Sequence, residues 1–329
     1  MGIMLSIIIP VYNNAQFISR CLDSILVETG VEFEVLVIDD GSTDNLQEIC
    51  HSYSIRDLRV RYVYQENAGV SVARNHGLEL ANGGDILFVD SDDYLVSGWG
   101  HAYLVAQEQN NDLTIFELQR ELDGQIQPAD PMFSKCEKDL DTICKLYLLT
   151  DRLNGPWCKV FKKKIIHEHN IRFPKGIRIG EDAIFVGQYL SNCTNIVYFP
   201  DAIYTYVDNQ ASASYQKNVS FQDKHTLFET KKQFLEYYPE CEEEFYEKFL
   251  GDYLSTLRFL ASYSSWVEFR NQVMLSFDYS YVGDLLRYSY LTLSSRRTLQ
   301  LKLLTTRKFR LLFGVLTTEN KLLSLKNRK

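Results

Sequence analysis

Apolar positions follow two rhythms along the first ninety residues. Leu5 to Ile9 is an unbroken apolar run, the pattern of a strand covered on both faces, and Pro10 is expected to end it. Phe17, Cys21, Leu22, Ile25 and Leu26 then recur at helical spacing. Val35 to Ile38 predicts a second strand, closed by Asp39-Asp40-Gly41-Ser42. A helix starting near Asp44 follows, with Leu46, Ile49 and Cys50 on its apolar face. Val60 to Tyr64, Val70 to Ala81 and Ile86 to Val89 predict strand, helix and strand. This order implies an α/β fold, Rossmann-like, with a mostly parallel sheet and helices on both faces.

Such sheets bind ligands outside the carboxyl ends of their strands. Three polar clusters fall at such ends: Tyr12-Asn13-Asn14, Asp39 to Asp44, and Asp90 to Asp93. Their recurrence at one edge carries more weight than any single cluster. From Trp99 to about Tyr215 the pattern is mixed α and β, punctuated by Pro156, Pro174 and Pro200. From Ser220 to Ser280 aromatics take helical spacing, as in Phe245, Phe249 and Tyr253. The expected division is an α/β domain over residues 1–217 followed by an α-helical C-terminal region over 218–329.

Composition narrows the classes. The 329 residues suit roughly two domains of about 100–200 residues each. With 45% hydrophobic and 24% charged residues, a largely disordered chain is excluded. The formal net charge of −8 argues against nucleic acid as a partner. The cysteines form no C-x-x-C pair, and the histidines show no metal spacing. Reduced cytosolic thiols are expected rather than a disulfide framework or a zinc site. The opening MGIMLSIIIPVYNN lacks the basic region and small-residue site of a leader, and no apolar stretch reaches the length of a membrane span. Any membrane contact is therefore expected to be peripheral.

The end of the chain differs in character. Arg296, Arg297, Lys302, Arg307, Lys308, Arg310, Lys321, Lys326, Arg328 and Lys329 face a single acid, Glu319. Leu299, Leu303, Phe309, Leu312, Phe313 and Leu316 lie among them. A basic amphipathic tail reads either as an element on an anionic membrane surface or as a helix packed on its own domain. The membrane surface is the expectation taken here.

The motifs SIIIPVYNNAQFISRCLDSIL, VLVIDDGSTDN and NAGVSVARNHGLELANGGDILFVDSDDYL resemble the donor-binding half of family 2 glycosyltransferases of the GT-A fold. The block NGPWCKVFKKKIIHEHNIRFPKGIRIGEDAIF resembles the acceptor-side half of the bacterial polysaccharide-building members. Together these blocks touch most of Leu5 to Phe185. The resemblance implies an inverting transfer from a nucleotide-sugar, expected to be a UDP-hexose or UDP-N-acetylhexosamine. It assigns Asp92, with Asp90, to a divalent metal (Mn2+ or Mg2+), and such ions take one or two protein carboxylates beside substrate phosphates. Donor contacts implied are Pro10, Tyr12, Asp39, Asp40, Arg74, Asp90 and Ser91, with Tyr12 and Asp40 toward the base and Arg74 near the phosphates. Asp182 is implied as the base that deprotonates the acceptor, with Glu181 beside it. Trp157 and Lys159 are implied on the acceptor side. Cys158 stands where the family pattern often has Asn, and it has no partner histidine to make it a nucleophile.

The acceptor implied is a glycan on a lipid carrier, and the location the inner face of the cell membrane on its cytoplasmic side. A homo-oligomer is compatible with the helical region. Two rivals remain to be weighed. A nucleotidyltransferase would need a Gly-rich loop after the first strand, where VYNNAQF has no glycine. A noncatalytic nucleotide- or glycan-binding protein on the membrane would not need Asp92 and Asp182.

Overall fold

The computed structural model describes residues 4–133, 135–208, 220–288 and 295–326, without the side chains of 295–298 and 322–326. It contains two compact units: Met1–Tyr147 with Asp151–Gln216, and Leu148–Thr150 with Lys217–Lys329.

The chain begins β1 (Leu5–Val11), α1 (Ala15–Leu26), β2 (Phe33–Asp39), α2 (Leu46–Arg56), β3 (Val60–Tyr64), α3 (Val70–Leu80) and β4 (Asp85–Phe88). It continues β5 (Tyr94–Leu95), α4 (Trp99–Gln107), β6 (Leu113–Leu122), β7 (Gln125–Gln127), α5 (Leu140–Leu149) and β8 (Lys159–Lys162). Then come α6 (Lys163–Glu168), α7 (Glu181–Leu190) and β9 (Ile196–Val207). The strands form one sheet in the order β3-β2-β1-β4-β8-β6-β9-β5, with β7 paired to β6. Alternate residues of each buried strand serve opposite faces. Leu5, Ile7, Ile9, Val35 and Val37 share a core with Ile18, Leu22 and Ile25 of α1 and Leu46 and Cys50 of α2. On the other face, Gly77 of α3 approaches Ile8 so closely that a Cβ would meet Ile8 Cγ2 at 2.4 Å. Phe88 packs there against Phe173 and Phe185. Both faces are covered, which is why these strands read as continuous apolar runs.

Two expectations need correction. Pro10 does not end β1; it pairs in register with Ile38, and the strand runs on to Val11. The β4 ladder beside β1 stops at Ile8, whose carbonyl accepts from Val89 N. Pro10 shares the parity of Ile8, so its missing N–H falls where no ladder partner is needed. The sheet, in turn, is continuously parallel only from β3 through β4. The β4–β8, β8–β6, β5–β9 and β6–β7 pairs are antiparallel, whereas β6–β9 is parallel, so the whole sheet is mixed. Because β8 runs against β4, with Leu87 opposite Val160, the residues just before β8 arrive at the carboxyl end of β4.

The order β3-β2-β1-β4 reverses direction between β1 and β4. That switch point is where open α/β sheets hold ligands.

The second unit contains α8 (Phe221–Lys232), α9 (Glu242–Tyr263), α10 (Trp266–Ser276), α11 (Ser280–Tyr288), α12 (Ser295–Thr305) and α13 (Phe309–Lys326). Phe245, Phe249, Leu250, Tyr253, Leu254 and Leu257 of α9 form its buried stripe. A capping box between Ser265 and Glu268 starts α10. Leu303, Phe309, Leu312 and Leu316 of the tail are buried, and Phe313 packs on Trp266 and Phe269. Among the described side chains, most of the apolar residues of the basic tail are thus taken up inside the helical unit itself. Lys302, Arg307, Lys308, Arg310 and Lys321 stay exposed, with Leu299 and Leu311 beside them in sequence. Arg328, Lys329 and the side chains of Arg296, Arg297 and Lys326 lie outside the described residues. Among the described residues, no helix is long and apolar enough to cross a membrane.

Candidate active site

The three polar clusters meet at the switch point. Asn14 Nδ2 donates to Ser91 Oγ at 2.8 Å, tying the end of β1 to the end of β4. Asp44 accepts from Ala15 N at 2.9 Å and from Leu46 N at 3.3 Å, so one carboxylate caps the starts of α1 and α2. Tyr12 is 52% exposed just past β1. Pro10 is buried within the strand.

Asp39 and Asp40 are more committed than their motif suggests. Asp39 accepts from Ser42 N at 2.8 Å and from Tyr62 Oη at 2.6 Å. Asp40 accepts from Gln65 Nε2 at 2.7 Å, Ala68 N at 2.9 Å and Gly69 N at 2.8 Å. An ionised carboxylate offers about four acceptor positions, so Asp40 keeps roughly one for a ligand. Its first task is to fold the Asn67-Ala68-Gly69 turn onto β2.

In the acidic cluster after β4 the roles separate. Asp93 is buried; its carboxylate accepts from Tyr204 Oη at 2.6 Å and Val207 N at 2.8 Å. Burial, then the charge of Asp90, holds its pKa above the usual carboxylate range. Asp93 therefore anchors β9 and does not join Asp90 and Asp92. Tyr204 Oη also accepts from Asp90 N at 3.1 Å. No sequence signal marks Tyr204, which lies 111 residues from Asp93.

Among the described residues, no group of three or more His, Cys, Asp or Glu side chains is arranged to hold a metal ion. Asp90 and Asp92 remain as two hard oxygen donors at a strand end. That donor set suits a magnesium-like ion only when phosphate oxygens complete its shell.

Arg74 links this cluster to the far end of the motif series. Its side chain is 4% exposed, and its Nη2 donates to Asp90 Oδ1 at 3.0 Å while Nη1 donates to Asp182 Oδ1 at 2.6 Å. Glu181 Oε1 lies 3.7 Å from the same Nη1. Burial opposes the charge on Arg74, but Asp182, Asp90 and Glu181 outweigh it and raise its pKa. Asp182 and Glu181 open α7 behind Gly180, whose φ of 95° turns the chain into the helix. Burial pushes both carboxyl groups above their ordinary range. Arg74 opposes the rise at each, and mutual or Asp90 repulsion adds to it. Arg74, 108 residues before Asp182, thus joins the two ends of the predicted site through one guanidinium.

The acceptor-side residues divide. Trp157 is half-buried, stacked on Tyr204 at 6.0 Å between ring centroids. Lys159 departs from its acceptor-side expectation: it is 2% exposed, and its Nζ donates to Gly155 O at 2.7 Å. Burial pushes its pKa down to about 8. Its position inside the fold follows from β8, where it is the first residue. Cys158 has φ of 59°, the left-handed region that Asn tolerates better than other side chains. Burial pushes the Cys158 thiol well up, away from any thiolate role.

A family model described as Glycosyl transferase family 2 matches residues 6–166. Glycosyltransferase GlyG of Streptococcus pneumoniae serotype 4 is 30% identical over 221 residues, covering 63% of this chain and 71% of GlyG. The chain belongs to glycosyl transferase family 2. Glycosyltransferase GlyA of the same organism is 30% identical over 220 residues, covering 64% of this chain. The chain's match spans only 31% of GlyA's length. The crystal structure of residues 1–349 of S. aureus TarS with UDP-GlcNAc superposes with a TM-score of 0.73 at 23% identity. The match covers 96% of this chain and 91% of that one, so the family 2 α/β architecture and its helical continuation share one fold with TarS.

Proposed function

We propose that this family 2 glycosyltransferase moves a hexose or N-acetylhexosamine from a UDP-sugar to a glycan hydroxyl, with inversion at the anomeric carbon. The observation that carries the reading is the single Arg74 guanidinium bonded to both Asp90 and Asp182. In this reading Asp182 would take the acceptor proton beside the acidic cluster that a divalent ion would bridge to the diphosphate. The TarS structure with UDP-GlcNAc supports UDP as the nucleotide.

In the reaction, the acceptor oxygen bonds to the anomeric carbon as the carbon–oxygen bond to the diphosphate breaks. The acceptor proton passes to Asp182, and UDP leaves with the bonding pair. A divalent ion would be held by Asp90 and Asp92, where it would supply Lewis-acid neutralisation of charge on the leaving diphosphate. Asp39 and Asp40 brace the turns on the proposed nucleotide side, and the exposed Tyr12 ring would lie against the uracil face. Trp157 offers an apolar ring to the acceptor sugar.

In this proposal the chemistry belongs to residues 1–217. The helical residues 218–329 present the exposed bases of α12 and α13 to an anionic membrane surface, where a lipid-linked acceptor would reside on the cytoplasmic side. Such a contact is electrostatic, because most of the tail's apolar face is buried in its own unit.

Calorimetric titration with UDP, with and without Mn2+, tests the donor assignment. We expect metal-dependent binding that Asp92→Asn weakens by at least about tenfold, the loss of one charged interaction. Absence of UDP binding under both conditions would remove the donor assignment.

A further inference from the structure

Next to Arg74 on α3, a second side chain reaches the base by another route. Asn75 is 7% exposed. Its Nδ2 donates to Phe173 O at 2.8 Å, and its Oδ1 accepts from Phe173 N at 2.9 Å. Both backbone groups of Phe173 are thus satisfied by one amide, as a strand neighbour would satisfy them. The Phe173 ring lies flat on the Phe185 ring, with centroids 4.0 Å apart and planes 2° apart. Phe88 of β4 meets both rings edge-on at 5.2 and 5.7 Å. Phe185 stands three positions after Asp182 on α7, a spacing that puts both on one helix face. The Arg74 guanidinium lies 5.2 Å from the Phe173 ring centroid, closing the circuit.

We propose that Asn75 is a positioning residue for Asp182. By fixing Phe173, it seats Phe185 and so sets where the first turn of α7 stands relative to Asp90. The inference rests on reading Asp182 as the base. Arg74 alone holds the Asp182 carboxylate by a flexible side chain; the Asn75 route holds the helix that carries it. Consecutive helix positions point about 100° apart, so one element of the donor half grips both. Loss of the Asn75 amide leaves two buried backbone groups of Phe173 unpaired, and that peptide then moves to find partners. A displacement of about 1 Å at a reacting group costs on the order of 100-fold in rate.

The test is a double-mutant cycle on UDP release from UDP-N-acetylglucosamine, with UDP affinity measured in parallel. Asn75→Ala should lower kcat by about 30- to 100-fold and leave the UDP Kd within about threefold. In an Asp182→Asn background the same change should cost almost nothing more, because the group it positions is already disabled. Equal fold-losses in both backgrounds, or lost UDP affinity with kcat retained, overturn the proposal. Phe173→Leu provides a second variant, since it keeps both backbone bonds and removes only the stacked ring. It should reproduce the kcat loss, and wild-type turnover in it overturns the route through Phe185. Hydrogen exchange on Asn75→Ala gives a readout free of turnover: faster exchange at Phe173 and in 181–185, with α3 unchanged, is expected. Unchanged exchange there overturns the proposal. Full turnover in Asp182→Asn alone is a different result, and it removes the base assignment first.

Discussion

Arg74 carries the densest electrostatics of the site. Its buried fork answers three carboxylates, and each terminal nitrogen has its own partner. A lysine there supplies one point charge and cannot bridge Asp90 and Asp182 as a planar fork does. Arg74→Lys should therefore lower kcat by roughly 10- to 100-fold, as expected for a displaced reacting group. Steady-state kinetics decide it: a rise in donor KM at unchanged kcat would instead place Arg74 on the phosphates. Asp182 must be ionised to take a proton, and burial raises its pKa despite Arg74. The kcat/KM profile should therefore lose activity as pH falls through a value above the ordinary Asp pKa of about 3.9. An acid limb at or below that value contradicts the assignment. In Arg74→Lys the same limb should move to higher pH, because the opposing charge is less well placed. At this scale the sequence names the acids but not their partners. Asp93 resembles its neighbours in the Asp90 to Asp93 run, yet Tyr204 and Val207 turn it away from them. Lys159 matches an acceptor-side motif, yet its ammonium is folded back onto Gly155.

Among the elements, α3 is the hinge of the arrangement. It lies on β1 and β2, with its small face inward at Gly77, where a Cβ would sit 2.4 Å from Ile8 Cγ2 and 3.4 Å from Ile38 Cγ1. Gly77→Ala gains up to about 1 kcal/mol of helix propensity. The cost of overpacking a filled core is about 1–3 kcal/mol, which wins because Ile8 is fully buried. A lower midpoint of chemical denaturation for Gly77→Ala is the expected result, accompanied by reduced turnover because Arg74 and Asn75 ride on the same helix. An unchanged midpoint would show that α3 can lift without penalty. The alternation of β1, α1, β2, α2, β3, α3 and β4 was legible because each element is periodic over local sequence. The antiparallel entry of β8 was not. Strand direction depends on how the long excursion after β4 returns, and no residue between Asp90 and Trp157 encodes that by itself.

For the whole molecule, charge is distributed against its total. The chain carries −8, yet every exposed charged side chain described between Leu299 and Lys321 is a base. Near an anionic leaflet each base contributes roughly 1 kcal/mol. Replacing Lys308 and Arg310 by Gln should therefore weaken partition onto phosphatidylserine vesicles by about 30-fold. Binding of the unaltered chain should also fall steeply with salt. Equal flotation of both proteins, or none for either, rules out this surface as a membrane contact. Sequence alone determined the α/β class, the strand ends at which the polar clusters lie, and the helical character of the last third. Those properties follow from local periodicity and from residue types clustered within a few positions. Only the tertiary structure decided that one guanidinium joins Asp90 to Asp182, that Asp93 and Lys159 face inward, and that the tail buries most of its apolar face. Each of those outcomes depends on groups distant in sequence competing for one buried volume, where desolvation leaves a polar group no choice but the partner the fold brings to it.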